Sequence, residues 1–266
     1  DGPAVAAELH DAIEEALRDR LAALAAPRSM LRSKLLRALP TTMALAAVDR
    51  TGPVEGTWRC LLFWSGDSRV YLLQPDSGAS QLTTDDIRDQ GDAMANLRQD
   101  SVISNALSAD TAFVVNHRRI ELSEPFLLVA ATDGCFGYLP SPMHFEWLLL
   151  STLQNSTDTE LWSARLQEYI SAISGDDASM AVLGIGADHQ QFQSLFADRT
   201  AALTTRWITP IDDLAAEIGA LEERLDEVRR RHIEQTAELW AAYRPDYQLH
   251  LDAGHPAFRT SEMGAS

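Results

Sequence analysis

Cysteine is almost missing from this chain. Two of 266 residues are cysteine, Cys60 and Cys135, far apart and in strand-like surroundings. A disulfide-stapled scaffold and a cysteine-based zinc site are therefore excluded, and both thiols read as small buried hydrophobes in a reducing cytoplasm. Long apolar runs are missing too. None approaches the roughly 20 residues of a membrane helix, and the N-terminus carries no signal-peptide pattern, so the expectation is a cytoplasmic chain with no membrane partner. Positive charge is scarce: 22 Lys and Arg face 39 Asp and Glu, for a formal net charge of −17. Such a surface argues against nucleic acid as a partner and suits a protein that concentrates divalent cations.

What is present is ordinary globular material, 45% hydrophobic and 23% charged. The length suits one large domain, or a domain of about 200 residues with an appendage. One stretch organises the rest. Phe126-Leu127-Leu128-Val129-Ala130-Ala131 is continuously apolar, is bounded by Pro125 and Gly134, and ends at Thr132-Asp133. A short apolar run closed off in this way suits a strand buried on both faces. It leaves Asp133 at the rim of a core, where an unpaired charge is expensive. A metal ion is one candidate partner; a plain strand followed by an Asp-Gly turn is the other reading.

Upstream, Ala7, Leu9, Ile13, Leu17 and Leu21 recur at near-helical spacing. A basic helix is expected over 28–38, its Arg28, Arg32, Lys34 and Arg37 forming a solvated face or, alternatively, facing phosphate. Strands are expected over 41–48, 57–64, 69–73, 81–83, 113–115 and 119–122, as an antiparallel meander with a polar, acidic loop at 84–96. Helices over 143–153 and 159–173 then lead to a strand at 180–185. Acids recur at the ends or starts of these strands: Asp67, Asp133 and Asp176. Past Gly186, one helix runs from Phe192 to Trp207 and Pro210 punctuates it. Leu214, Ile218, Leu221, Leu225, Val228 and His232 then alternate four and three apart between Glu and Arg. So short a heptad pattern favours packing within the molecule, with dimerisation or a partner protein on 211–247 as the other readings. The expected division is 1–187, 188–251 and a loose tail at 252–266.

These pieces together resemble the metal-dependent serine/threonine protein phosphatases of the 2C type. Gly66-Asp67-Ser68-Arg69 followed by Gln81-Leu82-Thr83-Thr84-Asp85-Asp86 is similar to that family's GDSR and LT.DH segments. Phe126 to Gly134 is similar to its LLASDG strand, and Asp176-Asp177-Ala178-Ser179-Met180-Ala181-Val182 to its DN.T..V segment. Asp1-Gly2 before a long helix resembles the DGHGG motif, and Pro40-Thr41-Thr42 stands where the family has GTT. The resemblance covers residues 1 to 187. It implies an α+β fold: a four-layer α-β-β-α sandwich of two antiparallel sheets flanked by helices, here with a C-terminal helical extension. It also implies two Mg²⁺ or Mn²⁺ ions, held by oxygen ligands and many waters. Asp1 would bridge them, the Gly2 carbonyl would ligate one, Asp133 and Asp176 would hold the other, and Asp67 would belong to a weaker third site.

The implied activity is hydrolysis of phosphoserine and phosphothreonine in a phosphorylated protein substrate, by in-line attack of a metal-bridging water. Asp1, Asp133 and Asp176 carry it. Neither cysteine is a nucleophile, since Cys135 lacks the phosphate-cradling loop that chemistry needs. His144 reads as a surface helix start and His10 as a structural residue of the first helix.

Some family features are missing. The first motif, a strand with a phosphate-gripping arginine and an acidic pair, has no counterpart. The favoured expectation is a sequence that begins partway through the domain, the other readings being that the missing strands come from elsewhere or that the protein is inactive. Pro3-Ala4-Val5 replaces His-Gly-Gly, and Gly137 stands where many members carry another acid. The alternative function is accordingly a catalytically inactive, phosphatase-shaped binding module that holds a partner with its C-terminal helices.

Overall fold

Strand β6 (Phe126–Ala131) is covered on both faces, and the molecule is layered around it. Phe126 and Leu128 point into one apolar layer, Leu127, Val129 and Ala131 into another. Alternation of side chains across a strand explains how one continuous apolar run serves two cores. In the computed structural model, residues 2–24, 39–50, 56–88, 91–98 and 102–248 are described. The chain divides into two compact units, Asp1–Ile208 and Thr209–Ser266.

In the first unit, β6 pairs with β3 (Arg69–Gln74) and with β7 (Met180–Ile185), and β4 (Gly78–Gln81) completes a four-stranded antiparallel sheet in the order β4-β3-β6-β7. A second, three-stranded antiparallel sheet has the order β1-β2-β5, formed by Met43–Asp49, Thr57–Ser65 and Asn116–Ser123. Cys60, Leu62 and Trp64 of β2 meet Val70 and Leu72 of β3 between the sheets. Each such side chain, fully buried, contributes about 1.5–3 kcal/mol.

Helix α1 (Gly2–Leu24) covers the outer face of the three-stranded sheet, with Ala6, Leu9 and Ile13 against Phe63, Phe113 and Val115. Three helices cover the other sheet: α3 (Pro142–Gln154), α4 (Thr159–Ile173) and α5 (His189–Leu203). A short α2 (Ala93–Arg98) precedes β5. The layers are therefore helix, sheet, sheet, helices, the α-β-β-α sandwich expected from the sequence. Their starts follow local chemistry: Pro142 opens α3, the Asp158 carboxylate accepts from Leu161 N–H at 2.8 Å, and Asp188 and Gln191 form a capping box on α5.

Several boundaries differ from expectation. The segment 113–115 is not a strand; Asn116 opens β5, and Val115 instead turns into the layer under α1. The loop expected over 84–96 contains the start of α2. The first unit runs on to Ile208 rather than ending at 187, because Phe192, Phe196 and Leu203 of α5 and Ile208 of the π-helical turn Thr204–Ile208 are buried with the sheet. Pro210 does not interrupt the chain. It is the second residue of α6 (Thr209–Tyr247), where no intrahelical N–H bond is lost. His144 is buried, not on the surface, with Nδ1 2.8 Å from Ser141 Oγ. No residue of α6 is buried. The basic helix at 28–38 and the tail at 252–266 lie outside the described residues. No helix among the described residues is long and apolar enough to cross a membrane.

Candidate active site

Register places the first two acids. In the β3–β6 ladder Arg69 opposes Ala131, so two further residues along each chain bring Asp67 and Asp133 to the same end of the sheet. Both line one cavity of about 340 Å³, with Arg69, Asp85, Asn96, Phe136, Gly137 and Tyr138 among its walls. Burial pushes the Asp67 carboxyl up from its ordinary value, and repulsion from Asp133 pushes it the same way. Two carboxylates held this close in a partly dry site are mutually unfavourable unless a cation joins them.

The turn carrying Asp67 is pinned by two adjacent acids. Asp86 accepts from Gly66 N–H at 3.1 Å, from Asn105 Nδ2 at 2.6 Å and from Asn116 Nδ2 at 2.8 Å. Asp85 takes Arg69 in a two-pronged grip, at 2.9 Å from Nε and 2.6 Å from Nη2. Gly66 has φ +92°, and a side chain there would collide with Thr42. The turn therefore needs glycine, and Asp67 is fixed at its tip.

Asp133 sits in the single 3₁₀ turn Asp133–Cys135 that ends β6, with Oδ1 accepting from Gly134 N–H at 3.0 Å. A Cβ on Gly134 would lie 2.5 Å from the Asp177 carbonyl oxygen, so the turn that carries Asp176 rests directly on Gly134. Two bonds lock this contact, Thr132 N–H to the Ser179 carbonyl at 3.0 Å and Ser179 N–H to Thr132 Oγ1 at 2.9 Å. Asp176 itself is exposed and is not in the cavity wall. The structure thus gathers Asp67 with Asp133 and brings the backbone of the Asp176 turn beside them. Asp1 lies outside the described residues, and Gly2 begins α1. Among the described residues no set of three acidic, histidine or cysteine side chains converges as a ready metal site.

Arg69 and Asp85 carried no role in the sequence reading. Their signal was a buried-strand arginine and a tandem acid a few residues past the following hairpin. Arg69 is 5% exposed, stacks over Phe136 at 4.4 Å and donates to Tyr71 Oη at 3.1 Å. Burial opposes its charge, but the bonds and charge of Asp85 together with its interactions with Tyr71 outweigh that and raise the guanidinium pKa. Burial also lifts the Tyr71 hydroxyl to about 12. The cavity's arginine is therefore committed to Asp85.

A larger cavity of about 610 Å³ lies between β7, α4 and α5, lined by Leu127, Trp162, Met180, Val182 and Phe192. Its one acid, Asp188, caps α5. The smaller cavity is the candidate site because the carboxylates converge there. Neither thiol competes as a nucleophile, since burial raises Cys60 to about 11 and also raises Cys135.

No family model matches the chain and no curated protein matches it. Solved structures do. The serine/threonine phosphatase Stp1 from Staphylococcus aureus is 16% identical, with 67% of each chain covered and a TM-score of 0.49. A bacterial serine phosphatase is 17% identical over 69% of this chain and 70% of its own, with a TM-score of 0.47. The catalytic domain of the serine/threonine protein phosphatase PstP, solved with two manganese ions, is 19% identical over 66% and 69%, with a TM-score of 0.43. The likeness is one of fold.

Asp67 supplies a direct test of the site's electrostatics. A carboxyl whose folded pKa is raised disfavours folding when ionised. That penalty is present in full above its folded pKa, and it disappears as pH falls below the unfolded value. Asp67→Asn should therefore raise the melting temperature in EDTA at pH 7 by about 1–3 °C, and the gain should vanish at acid pH. Paired thermal melts across pH check this; an equal gain at every pH would remove the electrostatic account.

Proposed function

We propose that this chain is a divalent-metal-dependent phosphatase that hydrolyses phosphoserine and phosphothreonine in proteins. The observation that carries this reading is the meeting of Asp67 and Asp133 in one cavity at the end of the four-stranded sheet. Their donor atoms are all carboxylate oxygens, which fit Mg²⁺ or Mn²⁺ ions that keep much of their water. Asp133 would be the central ligand, Asp67 would serve a weaker, additional ion, and Asp176 would join from the turn resting on Gly134. Asp1 and the Gly2 carbonyl would complete a second position. A bound ion supplies a water that ionises near neutral pH and positive charge for phosphoryl oxygens.

The chain's own contribution is placement. β6 is rigid because both faces are buried, so Asp133 is held at a fixed height above the core. The Asp85–Arg69 and Asp86–Gly66 bonds do the same for Asp67. Tyr138, half exposed in the cavity wall, lies close to the Asp176 turn: a Cβ on Gly175 would come within 3.1 Å of its ring.

Calorimetric titration with Mn²⁺, read beside hydrolysis of an aryl phosphate, tests the proposal. Binding at or below millimolar Mn²⁺, weakened at least tenfold by Asp133→Ala, is the expected result. Absence of binding up to that level would favour the inactive binding-module reading instead.

A further inference from the structure

We propose that α6 pairs with α6 of a second copy of this chain, antiparallel, with residues 211–228 of each helix in contact. The inference concerns the second unit alone and does not depend on the phosphatase reading. α6 is 39 residues long, and none of them is buried. From Leu214 on its apolar stripe is open to solvent, Leu214 being 61% exposed, Ile218 57%, Leu221 59%, Leu225 49% and Val228 45%, while Ile211 at its start is partly buried. With Ile211, Ile218 and Leu225 at the a positions of a heptad and Leu214, Leu221 and Val228 at d, the stripe has the form of a coiled-coil seam.

The flanking charges decide what covers it. Glu217 and Arg224 fall at g, Glu222 and Arg229 at e. In a parallel pair in register, each g residue faces the e residue five positions on in the partner. That arrangement sets Glu217 against Glu222 and Arg224 against Arg229, twice each, so like charges oppose along the whole seam. Antiparallel pairing changes the partners to g with g and e with e. When Ile218 of one helix meets Leu221 of the other, Leu214 meets Leu225 and Ile211 meets Val228. Every layer is then apolar, Glu217 faces Arg224 on both sides, and Glu222 faces Ala215. Sliding the helices by one heptad in the other direction brings His232 against Leu214 and sets Arg224 against Arg224 and Glu222 against Glu222. Only the first antiparallel register satisfies both the layers and the charges. Arg229 and Arg231 meanwhile pair within their own helix, with Asp226 at 3.1 Å and Glu227 at 3.7 Å.

Sedimentation of the full chain should show a species of twice 29.3 kDa at tens of micromolar. Ile218→Asp should leave a monomer with unchanged helix content, since the position is not buried. Glu217→Arg or Arg224→Glu alone should weaken association roughly three- to thirtyfold, and the two together should restore it. Under mild oxidation, Leu214→Cys combined with Leu225→Cys should give a covalent dimer, because these positions meet across the pair. They lie about 16 Å apart within one helix, too far to bridge. Leu214→Cys alone should give none. A chain that stays monomeric at every concentration overturns the proposal, as does cross-linking through Leu214→Cys alone, which reports a parallel pair. Failure of the double charge exchange to restore association overturns the register.

Discussion

Asp133→Asn is expected to lower Mn²⁺-dependent hydrolysis of an aryl phosphate by about a hundred- to a thousandfold while leaving the fold intact. The two halves of this expectation come from different atoms. Asn keeps an oxygen that can accept from Gly134 N–H, the bond Asp133 now accepts at 3.0 Å. The 3₁₀ turn and its contact with Ser179 should therefore persist, and the melting temperature in EDTA should change little. What Asn lacks is the charge that balances a divalent cation. Loss of a charged oxygen ligand removes several kcal/mol from metal and transition-state stabilisation, and about 3–4 kcal/mol corresponds to that range of rate. Asp67→Asn should be milder in the same assay, because Asp67 is assigned to a weaker ion. Activity undiminished in Asp133→Asn would remove Asp133 from the chemistry altogether.

The fold could be read from the sequence wherever one pattern had one structural meaning. The run at Phe126 is apolar at every position because both faces of β6 are covered, and bounding turn residues set its ends. Helix α4 was legible for the opposite reason. Trp162, Leu166 and Ile170 are buried at helical spacing, with a capping aspartate just before Thr159. Reading failed where local pattern and tertiary setting disagreed. Phe113 and Val115 look like strand residues but pack beneath α1 from an irregular segment. Leu183 of β7 is 44% exposed although its strand reads as core, because β7 lies at the edge of its sheet.

The candidate site divides in the same way. Asp67 and Asp133 were visible because each follows or precedes a strand at a glycine turn, and antiparallel register then brings them together. The bonds that hold them are long-range and leave little trace in a single sequence. Asp86 reaches Asn116 across thirty residues, and nothing near Asn116 announces that pairing. His144 illustrates the reverse case. A histidine just after a proline looks like a surface helix start, yet the Ser141 hydroxyl gives it a partner inside the core.

Asp85→Ala should be the most destabilising single change near the site, at about 3–5 kcal/mol, the range for stranding one member of a buried ion pair. Arg69 and Asp85 are both 5% exposed, so neither can turn to water when its partner is removed. With about 2–4 °C lost per kcal/mol in a unit of this size, the melting temperature should fall by about 10 °C. Arg69→Met should cost less. Asp85 would keep Gln81 Nε2 at 3.0 Å and Asn96 Nδ2 at 3.4 Å. Replacing both, Arg69→Met with Asp85→Leu, should recover at least about 2 kcal/mol relative to the sum of the single losses, since no charge then remains buried alone. Urea unfolding of the four proteins gives the coupling, and additive losses would mean the pair is not a unit. The pair also links the two turns of the site. Arg69 follows Asp67 by two residues and lies over Phe136, three residues after Asp133. Removing the guanidinium loosens both turns at once, so Arg69→Met should weaken Mn²⁺ binding even though no atom of Arg69 is a ligand.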